Sequence, residues 1–255
     1  MEVVVSFKPD ERARELAERV ARGLEGAGVK VRWFPEADPC AADGLVVVGG
    51  DGTLLYTLSK APCETPPVMT VRAGRRAFLL DVEPREVEEA VRKFVRGEYQ
   101  LEEHKRLEVD GHFALNEFAV LSKWRRVTKL NVEVSGYSVY EGLEGDGIIV
   151  STTLGSSAYA LSAGGPIVDP RAEVLLLVPV NPIQLDARAV VLPKDSEIKV
   201  KIVYNTKEVV TLLDGIVELT GEEFVISLTG PKVRFARFRR ENFYRRLIEL
   251  RSFKA

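Results

Sequence analysis

A four-residue apolar run that ends in a cluster of glycines constrains the fold of this chain most strongly. The run Leu45–Val48 is followed at once by Gly-Gly-Asp-Gly-Thr at 49–53. A short strand without polar residues is typical of a parallel sheet covered by helices on both faces, because every side chain must then be buried. Parallel strands need a long connection, usually a helix, so the run predicts an α/β domain.

The first 97 residues show the alternation of strands and helices that this fold requires. In chain order the patterns predict a strand at Val3–Phe7, a helix from Asp10 to about Gly26, a strand at Val29–Trp33, the strand Leu45–Val48, a helix from near Leu54, a strand at Pro67–Val71 and a helix over Pro84–Arg96. We therefore predict a doubly wound α/β domain over residues 1–97.

The pattern changes after about residue 98. Segments of alternating apolar and polar residues, separated by Gly, Asp and Asn turns, predict a β-rich, sandwich-like domain over 98–231. The last segment, 232–255, holds nine basic residues, and its Phe243, Leu247, Ile248 and Leu250 predict a closing amphipathic helix. A basic segment can bind nucleic acid, but a solvated helix face is the better interpretation because the whole chain is not basic.

Charge and composition exclude several classes of function. The 255 residues include 36 Lys and Arg against 38 Asp and Glu, so no general attraction to nucleic acid or anionic lipid is expected. The longest apolar run, Val174–Val180, is far shorter than the ~20 residues that cross a bilayer. We find no signal peptide and expect a cytoplasmic protein with Cys40 and Cys63 as reduced thiols.

Thermolabile residues are scarce in this chain. It contains only five Asn, two Gln, two Cys and two Met, beside many Arg and Glu residues. That composition is typical of a thermophile. The alternative is a small, Asn-poor chain that arose by chance.

The glycine cluster at 49–53 predicts a phosphate-binding loop. Ligands of open α/β sheets bind beyond the carboxyl ends of the strands, and glycines at 49, 50 and 52 allow positive φ and a close approach of backbone N–H groups. Asp51 would repel a phosphate, so it makes sense as a metal ligand or as the base for an attacking hydroxyl. The alternative is a tight turn in which Asp51 caps the helix.

A second segment, 146–166, reads DGIIVSTTLGSSAYALSAGGP. Its apolar strand Ile148–Val150 is followed by small hydroxyl residues and glycines, which have too little volume to build a core. Their hydroxyl and backbone groups suit a polar ligand, with Tyr159 available for stacking or a hydrogen bond. The alternative is a Ser/Thr-rich loop that leads into a helix.

The pair Asn116-Glu117 lies inside the apolar sequence FALNEFAVL. An amide and a carboxylate flanked by hydrophobic residues cannot both be solvated on a half-buried strand, so at least one is hydrogen-bonded inward. Its partner is either a ligand base or ribose hydroxyl, or a neighbouring backbone turn.

In this order, the segments resemble the NAD kinase family. The match covers GGDGT at 49–53, NE at 116–117, the segment 146–166, PIQLDARAVVLP at 182–193 and Asp214-Gly215. GGDGT is shared with diacylglycerol, sphingosine and phosphofructokinase-type kinases, whereas the segment 146–166 together with NE is specific. The resemblance implies an α/β domain with GGDGT, a β-rich domain with the NAD site, a C-terminal tail that returns to the first domain, and a homo-oligomer, commonly a dimer or tetramer.

Position by position, the resemblance implies roles for residues of this chain. Asp51 resembles the catalytic aspartate, which activates or orients the 2′-hydroxyl of the adenosine ribose. The phosphate contacts would come from Gly49, Gly50, Gly52 and Thr53, to which we add Arg72 and Arg75 as expected sources of positive charge. The dinucleotide contacts would come from Asp51, Gly52, Asn116, Glu117, Asp146, Ser157, Ala158, Tyr159, Leu161 and Ser162. The resemblance places Asp146 across a subunit interface and gives no metal ligands.

The chain departs from the family pattern at several positions. Tyr56 stands where many members carry Arg, Arg72 where the family's GxNxGxxGF has Asn, and Glu144 where a basic residue is common. We expect Arg72, Arg75 or Arg76 to supply the charge missing at Tyr56, because a phosphoryl donor needs neutralising charge. The alternative is an exposed basic turn.

With this resemblance we predict an NAD kinase: Mg²⁺-dependent transfer of a phosphoryl group, from ATP or polyphosphate, to the adenosine 2′-hydroxyl of NAD, giving NADP. One alternative is a lipid or other small-molecule kinase that shares GGDGT, which gives no reason for the NE pair. The other is an NAD(P)-binding homologue that has lost catalysis, as Tyr56, Arg72 and Glu144 suggest.

Overall fold

A computed structural model describes residues 1–74, 77–123, 126–204 and 206–239. The first elements are β1 (Glu2–Phe7), α1 (Glu11–Gly26), β2 (Lys30–Trp33), β3 (Gly44–Gly49), α2 (Asp51–Ser59), β4 (Pro67–Arg72), α3 (Val87–Arg96) and β5 (Gln100–Val109). They continue with β6 (His112–Ala114), β7 (Glu117–Ser122), β8 (Thr128–Val134), β9 (Tyr137–Gly145), β10 (Gly147–Ser151), α4 (Tyr159–Ser162), β11 (Val174–Val180), β12 (Val190–Pro193), β13 (Ile198–Tyr204), β14 (Val209–Leu213), β15 (Val217–Leu219) and β16 (Glu223–Arg237).

The chain divides into two units, residues 1–104 with 231–255, and residues 105–230. In the first unit, parallel strands follow the order β2-β1-β3-β4, and Arg234 and Phe235 of β16 continue the sheet beside β4. The chain goes from β1 to one side and then to β3 on the other. The strand order therefore reverses between β1 and β3, and such switch points bind ligands in α/β folds.

The helices of the first unit cover its sheet as the apolar spacing predicts. Helix α1 begins where the Asp10 side chain accepts a hydrogen bond from the N–H of Ala13, at 2.9 Å, a standard N-cap. Its buried residues and those of α3 share one core with β1, β3 and β4. All six residues of β3 are buried, as expected for a strand covered on both faces.

The second unit consists of antiparallel sheets. One has the order β12-β11-β10-β7-β14-β15, and the other contains β9-β8-β13 with the first residues of β16. One apolar core joins them, with the rings of Phe118 and Phe224 5.4 Å apart. The predicted fold class, an α/β domain plus a β-rich domain, is confirmed.

The C-terminal segment follows the prediction only in part. Its first residues form a strand to Arg237 rather than a helix, and they belong to the first unit, as the tail was expected to. The predicted helix around Phe243, Leu247, Ile248 and Leu250 lies outside the described residues. In the part of the chain that is described, no helix is long and apolar enough to cross a membrane.

Cys40 and Cys63 form a disulfide, so the prediction of two reduced thiols is wrong. Cys40 lies just before β3 and Cys63 just after α2. A strand and a helix that run in opposite directions bring these flanks together, with a Cα–Cα distance of 6.0 Å. The bond therefore closes a covalent ring around the GGDGT loop, which spacing along the sequence did not reveal.

Candidate active site

The GGDGT segment joins β3 to α2 at the switch point of the first sheet. Gly50 is the N-cap of α2, and the helix begins at Asp51, three residues earlier than the apolar pattern indicated. The first N–H groups of a helix have no partner inside it, and the helix dipole is positive at this end. The loop is therefore suited to phosphate.

The glycines of this loop act differently from the prediction that they supply positive φ. Gly50 is extended, with φ −131°, and neither Gly49 nor Gly52 is among the residues with positive φ. Space decides instead, because a Cβ added at Gly49 would lie 2.5 Å from Oγ1 of Thr53. A Cβ added at Gly52 would meet nothing within 4 Å among the described atoms, so this face of the loop is open.

The carboxylate of Asp51 already holds a neighbouring segment. Its Oδ2 accepts from the N–H of Phe78 at 2.8 Å, and its Oδ1 accepts from the N–H of Leu79 at 2.9 Å. A carboxylate has about four lone-pair directions, so about two remain on Asp51 for other partners. These two bonds fix the orientation of the carboxylate beside the phosphate loop.

A cleft of about 1620 Å³ opens at this switch point, entirely within the first unit. Gly49, Gly50, Gly52 and Thr53 line one part of it, together with the ends of β1 and β2. The basic side chains among its described lining residues are Lys8, Arg12 and Arg14, which sequence reasoning missed because nothing in their spacing marks a site.

Arg72, one expected source of compensating charge, is bound by neighbouring residues of the protein. Arg72 forms an ion pair with Glu83, at 3.0 Å, and donates to the carbonyl of Leu80. Arg75 and Arg76 lie outside the described residues. That one of these arginines replaces the charge missing at Tyr56 therefore stays a prediction.

In the second unit, Asn116 and Glu117 stand at the start of the central strand β7. Glu117 pairs with Ser151 at the end of β10, and Phe118 pairs with Leu213 at the end of β14. The ends of three neighbouring strands therefore meet at this pair. Asn116 and Glu117 are only 6% and 7% exposed, so both are buried.

Asp214 holds this pair in place. Its carboxylate accepts from the backbone N–H groups of Leu115, Asn116 and Glu117 at 2.7, 2.8 and 3.0 Å. Burial raises the pKa of Asp214 to about 6, against the lowering effect of these bonds and of Arg106. The sequence marked Asp214 only through the family resemblance, because its partners lie almost a hundred residues earlier in the chain.

Two buried polar atoms of the pair have no hydrogen-bond partner among the described residues. They are Oδ1 of Asn116 and Oε2 of Glu117. Burial, together with the charge of Asp214, raises the pKa of Glu117 to about 8. Buried polar atoms are rarely left unpaired in native proteins, so these two point to a polar ligand.

The small-residue segment 146–166 is folded against this pair. Thr152 donates from its backbone N–H to the carbonyl of Asn116 at 2.8 Å, and a Cβ added at Gly155 would lie 2.3 Å from that oxygen. The backbone N–H of Tyr159 bonds the Glu117 carboxylate. The segment therefore forms one wall of the site, and close packing requires a glycine at position 155.

The other dinucleotide residues predicted in the second unit lie around this wall. Burial raises the pKa of Tyr159, and the carboxylates of Asp146 and Glu117 raise it further, so these groups are neighbours. Asp146 accepts from Nδ2 of Asn181 at 2.8 Å. Tyr159, Leu161 and Ser162 are exposed on α4, and Ser157 and Ala158 are half-buried just before it.

Two family models match this chain. The model described as "ATP-NAD kinase N-terminal domain" matches residues 30–99, and "ATP-NAD kinase C-terminal domain" matches residues 115–228. An NAD kinase of Aeropyrum pernix is 38% identical over 258 residues, 92% of each chain. The chain belongs to the NAD kinase family. The resemblance that the sequence motifs carried is confirmed.

Solved structures of NAD kinases share this fold. An NAD kinase from Archaeoglobus fulgidus in complex with ATP is 29% identical, with a TM-score of 0.85 and coverage of 98% of each chain. The yeast NADH kinase complexed with NADH has a TM-score of 0.88 over 100% of this chain and 88% of its own, and at 24% identity it supports the fold alone.

Proposed function

We propose that this chain phosphorylates the 2′-hydroxyl of the adenosine ribose of NAD, with ATP as donor, and so forms NADP. The observation that carries the proposal is the buried pair Asn116-Glu117 with its two unpartnered oxygens. Amide and carboxylate oxygens suit ribose hydroxyls and base amino groups, and the exposed ring of Tyr159 beside them suits stacking. The family to which the chain belongs supports the same reaction.

The phosphate loop supplies the second half of the chemistry. The 2′-oxygen attacks the γ-phosphorus, its proton passes to the carboxylate of Asp51, and the bond to the β-phosphate oxygen breaks to release ADP. Two backbone N–H groups hold this carboxylate in one orientation, so little reorganisation is needed when the proton moves. The N–H groups at the start of α2 bind the donor phosphates.

The reaction requires Mg²⁺, by our proposal, and the residues fit it. Within the described residues, no cluster of three or more His, Cys, Asp and Glu side chains is placed to hold a metal. Mg²⁺ commonly keeps several waters and binds one or two carboxylates plus substrate phosphates, and Asp51 offers such a carboxylate. The bound ion would neutralise charge on the transferred phosphoryl group.

The direct test is NADP formation with ATP and polyphosphate side by side, in the presence of Mg²⁺. We expect turnover of NAD and no phosphorylation of a lipid panel. NAD binding without turnover would instead identify an inactive homologue. Phosphorylation of a lipid without formation of NADP would contradict the proposal.

We further propose a thermophilic, cytoplasmic homo-oligomer. Disulfides are rare in reducing compartments except in hyperthermophiles. The disulfide Cys40–Cys63 and the scarcity of thermolabile residues therefore both support a thermophilic source organism. Exposed Ile183 and Leu185 supply an apolar surface for a subunit contact. A monomer by light scattering, or a melting midpoint of about 45–65 °C, would contradict these points.

A further inference from the structure

The cleft at the phosphate loop is larger than a chain of phosphates requires. Beyond the loop it extends over four aromatic side chains, Phe7, Trp33, Phe34 and Tyr56, which we term the aromatic shelf. Small-molecule sites usually enclose about 300–1,000 Å³, and this cleft measures about 1620 Å³. It therefore has room for a nucleoside in addition to a triphosphate.

The shelf is built from two edge-to-face pairs. Phe7 and Trp33 have ring centroids 5.7 Å apart at 85°, and Phe34 and Tyr56 have centroids 6.0 Å apart at 84°. Each pair fixes the orientation of one partly exposed ring, since Trp33 is 36% and Tyr56 47% exposed. Exposed, oriented aromatic rings are surfaces on which a planar base stacks.

The shelf is continuous with the phosphate loop. Tyr56 follows Gly52 by four residues and Thr53 by three on α2, so the three residues lie on one face of the helix. The step from the loop to the Tyr56 ring is one helical turn, about 5.4 Å along the axis. If the phosphates of a bound molecule lie at Gly52, the group attached to them can therefore reach the ring of Tyr56.

The charges around the shelf disfavour an extended polyphosphate. Among the described lining residues, the basic side chains Lys8, Arg12 and Arg14 stand with four acidic ones, Asp10, Glu11, Glu18 and Glu36. Lys60 adds one cation beside the shelf, with its Nζ 6.0 Å from the centroid of the Tyr56 ring. Lys8 pairs with Asp10 at 2.9 Å and Arg14 with Glu18 at 3.3 Å. A long polyanion needs a continuous basic track, whereas a neutral base does not.

We propose that the aromatic shelf binds the nucleobase of the phosphoryl donor, so that nucleoside triphosphates are preferred over polyphosphate. This inference rests on the proposed function, which supplies the kinase reaction. Every base has a π-face, so stacking alone is tolerant of base identity. ATP, GTP and CTP should therefore have similar specificity constants, and each should exceed that of inorganic tripolyphosphate.

Calorimetric titration tests the shelf without turnover. The probes are ADP, which has a base, and inorganic tripolyphosphate, which has none, each with Mg²⁺ and the full chain. Tyr56→Ala should weaken ADP binding about 5- to 150-fold, the usual range for loss of one stacked base, and should lower the ratio of ADP affinity to tripolyphosphate affinity. Tyr56→Phe keeps the ring and should restore both.

The matched control is Tyr137→Ala, because Tyr137 is the more exposed tyrosine and lies outside the cleft lining. It should leave ADP affinity unchanged, and its melting midpoint sets the standard for folding of the Tyr56 variants. Equal ADP affinity in wild type, Tyr56→Ala and Trp33→Ala, or no ADP binding by wild type, would overturn the inference. If ADP binds and its binding depends on the Tyr56 ring, but the protein forms no NADP, only the proposed function would be overturned.

Discussion

In the phosphate loop of the first unit, both carboxylate oxygens of Asp51 accept hydrogen bonds from the protein's own backbone. In the second unit, Asn116 and Glu117 each keep a buried oxygen without a partner among the described residues. The carboxylate of Asp51 is therefore held by the protein before any ligand binds, whereas the pair carries a desolvation cost that a ligand can remove. From this difference we infer that the phosphate loop carries out the chemistry and that the pair Asn116-Glu117 selects the substrate.

The largest expected effect comes from removing the charge of Asp51. Asp51→Asn keeps the shape of the side chain but loses the proton acceptor, so turnover should fall about 10²–10⁴-fold. The amide also sets a donor against the N–H of Phe78 or Leu79. Steady-state kinetics with saturating NAD measures the loss.

NAD affinity is the control for this variant, because its proposed contacts at Asn116 and Glu117 are unchanged. Activity within tenfold of wild type would contradict the catalytic role of Asp51. Loss of NAD affinity together with turnover would show that Asp51 is needed for substrate binding as well.

The next largest effect should be a pH dependence of the protein's stability that comes from Glu117. The folded pKa of Glu117 is about 8, above the ordinary 4.5, so the folded state keeps a proton that the unfolded chain has released. Stability is then lost as pH rises from about 4.5 to 8, by up to about 1.4 kcal/mol for each pH unit. Glu117→Gln cannot ionise, so it should gain stability relative to wild type over this window.

Thermal melts of both proteins at pH 5, 7 and 9 test this effect. The gain should be largest at pH 9 and smallest at pH 5, while NAD affinity of the variant falls. Parallel melting curves at all three pH values would mean that Glu117 is not held in its protonated form.

Removing the disulfide should lower the stability of the protein without changing the NAD site of the second unit. The bond closes a ring of about 23 residues around the phosphate loop, so replacing both Cys40 and Cys63 by Ser should lower the free energy of unfolding by ~3 kcal/mol. NAD affinity should not change, because Asn116 and Glu117 lie outside the ring. Denaturation with and without reductant, compared with the double variant, measures the effect. Equal stability of all forms would show that the bond contributes nothing to the fold.

Local patterns were enough to predict most of the elements and the fold class. A wholly apolar strand, helical spacing and glycine punctuation each depend on a few neighbouring residues, so α1, β3 and the fold class agree with the structure. The interior positions of Asn116 and Glu117 were also predictable, because polar residues inside an apolar strand must find partners.

Long-range contacts were not predictable in this way. The bond from Asp214 to Asn116 depends on β14 lying beside β7, and the disulfide depends on the turn from β3 into α2. The role of Gly49 depends on the position of the Thr53 side chain, not on its own φ. Each of these requires the strand order or the packing, which no local pattern contains.

The smallest effect tests the comparison within the second unit, where one asparagine oxygen has a protein partner and another has none in the described part of the chain. Oδ1 of Asn131 accepts from the N–H of Gly142 at 2.8 Å, whereas Oδ1 of Asn116 has no partner among the described residues. Asn131→Ala should therefore cost about 1 kcal/mol of stability and leave NAD affinity unchanged.

Asn116→Ala should do the reverse. The protein loses no internal bond from that oxygen, so its melting midpoint should stay near that of wild type, while NAD binding weakens by about 1–3 kcal/mol through loss of the ligand's partner. Tyr159→Ala should add a loss of stacking in the same titration. If Asn116→Ala destabilises the fold and leaves NAD affinity intact, the unpartnered oxygen serves the structure rather than the ligand, and the contrast between the two regions fails at its simplest point.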